Sequence, residues 1–271
     1  MPGKLGKIVE VREGKAKVPI ELVNKQRDAA EQSGLRLVDD AVETRASAQV
    51  EKQFVSFLFL KADAEWRKLD GGRKSELSQE FISVFDDFRD DFLVFPYSLV
   101  GFDSKADLMF WRIGRSMDRL QEMTARMNRT GLGSHLITAA AYLGVTKKRV
   151  FVSESSEDRF HVNAGEKAYH FFYPCAKGRE WYEKPAEERE AMIEDGMMVG
   201  RRFPNIKIHM THGLGFGEYE YLFSFETDEP KDFVALAEEL RSAGEVERNL
   251  GGSHIFTCRK RPLAECIEAL G

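Results

Sequence analysis

The chain has 271 residues, 42% hydrophobic and 11% aromatic, which is enough apolar material for one large or two small packed domains. Its formal net charge is −5, and basic residues are scattered apart from Arg201-Arg202 and Arg259-Lys260-Arg261, so it carries no electrostatic footprint for nucleic acid. No stretch approaches about 18 uncharged apolar residues, and the first residues run into alternating charge, so neither a membrane span nor a signal peptide is expected. Three cysteines, Cys175, Cys258 and Cys266, show no CxxC spacing and suit a reducing cytoplasm.

In chain order, residues 1–53 are polar and weakly periodic and read as an extension. From Phe54 the chain repeats itself. The run Phe54 to Trp66 has a counterpart in Tyr169 to Trp181, each a strand leading into Glu-Trp. A charged amphipathic helix follows in each copy, Ser75 to Phe88 and Ala186 to Gly200. Two strands come next, Tyr97 to Gly101 with Leu108 to Ile113 in one copy, Asn205 to His212 with Tyr219 to Glu226 in the other. A second helix, Met117 to Met127 or Lys231 to Arg241, precedes a late strand near Ala140 to Thr146 or His254 to Cys258. The order β-α-β-β-α-β, twice, predicts an α+β fold of tandem duplicated ferredoxin-like units, divided at 54–150 and 151–271.

Within the second copy, Met192, Ile193, Gly196, Met197 and Gly200 share one helical stripe, so two glycines lie where side chains normally pack. Each costs on the order of 1 kcal/mol against alanine, and a close backbone or a flat ligand would explain them. On the next strand, Ile208, Met210 and His212 alternate with Lys207, His209 and Thr211, which sends His209 and His212 to opposite faces. His209 is expected to be exposed and His212 to sit in the core or at its rim. The glycines of Gly213-Leu-Gly215-Phe-Gly217 precede a strand and suit a hairpin connection rather than a phosphate loop.

The runs Phe95 to Phe102, Met127 to Gly133, Glu180-Trp181 with Pro185 to Arg189, Gly200 to Lys207 and Phe225 to Phe233 together resemble the chlorite dismutase superfamily, over roughly Phe54 to Arg261. The resemblance implies a dimeric α+β barrel fold, a homo-oligomeric ring such as a pentamer, and haem or coproporphyrin-iron in the C-terminal repeat. It places Trp181 in the porphyrin pocket and Glu245 beside the proximal ligand. Tyr142 falls near the reactive tyrosine of coproheme decarboxylases. The position of the iron-ligating histidine falls at Gly196 and that of the distal arginine at Ile208, which cannot stabilise an oxyanion, so chlorite dismutation by the family route is not expected. Two readings stay open. One is a peroxidase-like oxidoreductase acting on a small-molecule substrate, with haem or a non-haem transition metal in the former pocket. His170 and His212 are its candidate ligands, with Tyr142 and Glu245 in catalytic roles and Met210 lining the cavity. The other is a non-catalytic oligomeric binding or scaffold protein that has lost the cofactor.

Overall fold

The computed structural model describes residues 52–146, 150–152, 161–242 and 253–271. The strands are β1 (Phe54–Ala62), β2 (Phe92–Ser98), β3 (Leu108–Gly114), β4 (Leu136–Val145), β5 (Val150–Val152), β6 (His161–Asn163), β7 (Tyr169–Cys175), β8 (Lys207–His212), β9 (Tyr221–Thr227) and β10 (Phe256–Lys260). The helices are α1 (Gly71–Asp87), α2 (Met117–Arg129), α3 (Arg179–Glu183), α4 (Ala186–Gly200), α5 (Pro230–Ser242) and α6 (Leu263–Glu268). Eight strands close into a barrel in the order β1-β3-β2-β10-β7-β9-β8-β4, and β5 pairs with β6 separately. Two antiparallel sheets, β4-β1-β3-β2 and β10-β7-β9-β8, repeat one strand order, the duplicated ferredoxin-like pattern. They meet along β2–β10 and through the Val145–His212 pair of β4 and β8.

The expected strand at Tyr97 to Gly101 lies earlier, at Phe92–Ser98, with Pro96 inside it. Proline has no N–H to give a ladder, and β10 pairs only with Tyr97 and Ser98, so Pro96 falls where it is asked for none on that side. Helix α1 starts at Asp70, whose carboxylate accepts from Arg73 N at 3.0 Å, and α2 at Ser116, whose hydroxyl accepts from Arg119 N at 3.2 Å. Their apolar stripes, Leu77, Phe81 and Val84 on α1 and Leu120, Met123 and Met127 on α2, cover Leu58, Leu60, Leu108 and Phe110 on the outer face of the first sheet. Trp66, fully buried just before α1, belongs to the same cluster.

Alternation sends the other side chains of these strands into the barrel. Val55, Phe57, Phe59, Tyr97, Met109, Trp111, Phe172 and Phe256 fill it, with Phe57 stacked on Trp111 and Phe59 on Phe256. Where β7 begins, a turn at 163–168 enters the barrel and the fully buried Glu226 holds it. Its carboxylate accepts from Gly165 N and Glu166 N, each at 3.0 Å, and makes a 3.1 Å hydrogen bond with His209 Nε2. Gly165 adopts φ 66°, and a Cβ there would collide with the Phe95 ring, so glycine is required at this turn. Burial alone would raise the Glu226 carboxyl, but the hydrogen bond and charge of His209, with the Gly165 N–H, outweigh it and hold it ionised well below its ordinary value. His209, expected at the surface, is therefore a buried partner of this carboxylate.

His170 lies on the same inner face, paired with Glu226 across β7 and β9. It is completely buried, edge-on to Phe57, Tyr97 and Trp111, and neither ring nitrogen has a hydrogen-bond partner among the described residues. Burial lowers its pKa to about 4, against a smaller opposing pull from Glu226. A depressed histidine pKa contributes stability that is complete above the unfolded value of 6.5 and is lost as pH falls through about 4. Denaturant titrations should show wild type losing on the order of 3 kcal/mol across this window through His170, and His170→Phe should flatten that slope. A wild-type-to-variant difference constant with pH would contradict this. Phe57→Ala, emptying the barrel centre, should cost about 3–5 kcal/mol in the same experiment.

Candidate functional site

The outer face of the second sheet is the counterpart of the surface that α1 and α2 cover on the first. Phe171, Tyr173, Cys175, Tyr221 and Phe225 form its floor, with Phe233 and Leu236 of α5 packed over it. Helix α3 ends at Lys184-Pro185, and α4 begins at Ala186 with Glu187 and Glu188 in its first turn, where carboxylates complement the positive helix end. Met192, Ile193 and Val199 of α4 pack half-buried against the sheet cluster, while Gly200 is its one fully buried residue. A Cβ built on Gly200 would run into Ile208 Cδ1, so the last turn of α4 lies directly on the β8 side chain. Close backbone approach accounts for this glycine.

Trp181 is 6% exposed in the same cluster, edge-on to Tyr221, with the Lys177 ammonium 4.1 Å above its ring. Trp66 occupies the matching place in the first repeat, and neither indole N–H has a hydrogen-bond partner among the described residues. Both tryptophans lie within hydrophobic clusters, Trp66 under α1 and Trp181 on the second sheet. Gly196 is half-buried on the α4 stripe and offers no side chain. Ile208 and Met210 are half-buried apolar neighbours on β8. His212 is half-buried on this face as well, its ring 5.3 Å from that of Tyr221. Haem held by a helix histidine does not fit these residues: the facing position on α4 carries no donor atom, and Ile208 fills the space up to Gly200.

His170 and His212 lie on opposite faces of the sheet, one in the barrel and one beneath the helices, so the fold does not bring them to one metal. Among the described residues no group of three His, Cys, Asp or Glu side chains converges. Glu245, like residues 1–51, lies outside the described residues. Tyr142 does not join Trp181 either. It lies on the inner face of β4, edge-on to Phe59, with the Tyr219 ring 5.4 Å away. Sequence reasoning missed Glu226 and misplaced His209. The available signal was the alternation of β8, which sets His209 opposite Ile208 and Met210.

Comparison with known proteins gives this arrangement its relatives. The chlorite dismutase family model matches residues 74–261. The coproheme decarboxylase of Staphylococcus carnosus is 26% identical over 174 residues, 59% of this chain and 68% of that protein. A mutant chlorite dismutase from Candidatus Nitrospira defluvii superposes with a TM-score of 0.72 at 23% identity, covering 84% of this chain and 99% of the other. A haem-binding protein from Thermus thermophilus superposes with a TM-score of 0.67 at 20% identity, covering 82% and 96%. With the family model spanning more than two thirds of the sequence, and both sheets in the order that the duplicated fold requires, the chain belongs to the chlorite dismutase family.

Proposed function

We propose that this protein is a haem-related member of the chlorite dismutase family that works as a homo-oligomeric binding or scaffold protein and does not dismutate chlorite. One observation supports the reading: at the two positions where the resemblance expects the iron ligand and the distal cation, this face carries Gly196 and Ile208, and Ile208 reaches the backbone of α4 at Gly200. The haem-related origin rests on the relatives, one a coproheme decarboxylase and another a haem-binding protein. The assembly is a ring, a pentamer in this proposal, with the altered site in the second repeat, 151–271. Cys175, Cys258 and Cys266 are buried and free, which suits a cytoplasmic location.

A second reading is favoured by His212, which lies on the helix face of β8 beside Tyr221. In that reading haem or a non-haem transition metal is held through His212, and the protein is a peroxidase-like oxidoreductase.

Absorption spectra and metal analysis of the purified protein, before and after adding haem and coproporphyrin-iron, separate the two. The expected outcome is no saturable Soret shift, no stoichiometric first-row metal and no oxygen release from chlorite. A saturable Soret shift that His212→Ala abolishes would replace the first reading with the second.

A further inference from the structure

The barrel is plugged where β7 begins, by the Glu226-held turn, and among the described residues it is open where β7 ends. At that mouth lies a cavity of about 380 Å³, at the small end of ligand-sized pockets and suited to a one-ring molecule. It is on the opposite side of the second sheet from Trp181 and Ile208, so it stands independently of the reading above.

Its floor is apolar: Phe256, Pro174 and Ala140 face inward, with Phe59 stacked beneath Phe256 at 4.0 Å between ring centres. Its rim is polar and ordered. His254 Nε2 lies 2.5 Å from Asp103 Oδ2, and the Asp103 side chain is only 2% exposed. A carboxylate can only accept, so Nε2 carries a proton and donates it to Asp103. Asp103 is fixed in turn by the backbone N–H of Lys105, which donates to Oδ1 at 2.7 Å. Tyr142 is hydrogen-bonded to Tyr219, and Tyr219 to Glu218; burial raises the Tyr142 pKa to about 12, so its phenol stays neutral with a lone pair to offer. Lys105 contributes an exposed ammonium, and among the described residues no carboxylate lines the cavity itself.

An apolar floor, a neutral phenol and one cation describe a complementary molecule. We propose that the barrel mouth is a binding site for a small hydroxyaromatic carboxylate, its ring on Phe256 and Pro174, its hydroxyl donating to Tyr142 and its carboxylate facing Lys105. Because the cavity is one ring deep and Tyr142 stands at its rim, the site selects for ring size and for the hydroxyl donor.

The test is calorimetric and ligand-observed NMR titration of the full chain with 4-hydroxybenzoate, benzoate and tyramine. Saturable binding of one 4-hydroxybenzoate per chain is expected, with benzoate weaker and tyramine, a cation, not bound. Lys105→Ala, at an exposed position, should weaken both carboxylates about tenfold, in the range of a charge-assisted contact. Tyr142→Phe should weaken 4-hydroxybenzoate about fivefold and leave benzoate unchanged, the loss of one hydrogen bond. Ala140→Phe, with its melting temperature checked against wild type, should fill the cavity and abolish binding. No saturable binding at millimolar concentration, or affinities unmoved by Lys105→Ala and Tyr142→Phe, would overturn the proposal.

Discussion

Closing eight strands into a barrel commits one face of every strand to a shared interior, and the rest of the molecule follows from that constraint. In an open antiparallel sheet one face can stay wet, so alternation sorts apolar residues inward and polar ones outward. Here the inner faces interlock as one aromatic core, helices cover the outer faces of β1 and β3 and of β7 and β9, and β4 leaves Ile137 and Thr138 exposed. Polar side chains on inner positions must therefore find partners within the barrel. Glu226 does so with backbone N–H groups and His209, while His170 stays neutral in an aromatic cage. The carboxylate is retained because four donors reach it; removing one would leave a buried charge short of partners, which costs far more than the bond itself.

The same two-faced construction separates two chemistries. The outer face of the second sheet, where the family resemblance places cofactor binding, is apolar and backed by a helix that contributes Gly196 and Gly200 where a ligating group would stand. The inner face keeps ionisable and phenolic groups at both ends of the barrel, plugged at one and open at the other. A change of side chains on one face leaves the packing of the other in place, because the strand backbones between them are fixed by ladders on both sides.

Much of this was legible in the residues. The Glu-Trp repeat and the order of strands and helices predict the duplicated sheets, because each element carries its own period and boundaries: α4 and α2 begin where expected, and β3 ends within one residue. The faces of β8 also follow from alternation. Burial of His209 did not, since alternation says which residues share a face and not whether that face is covered. That depends on contacts between strands far apart in sequence, such as Val145 with His212. For the same reason Tyr142 could be placed near a reactive position by sequence while its side chain points to the other side of the sheet, toward Tyr219. Glu226, at the end of a predicted strand, gave no local sign that a turn far earlier in the chain, at Gly165 and Glu166, would bind it.

The central claim is that the helix-to-sheet face carries no donor at Gly196 and that Ile208 packs up to α4 at Gly200. Haem titration of Gly196→His, with its fold verified by circular dichroism, tests it most directly. With Ile208 filling the space up to α4, the variant should show no saturable Soret band and a lowered melting temperature. A one-to-one Soret band in a variant as stable as wild type would mean that the slot is open and that only the imidazole was lost.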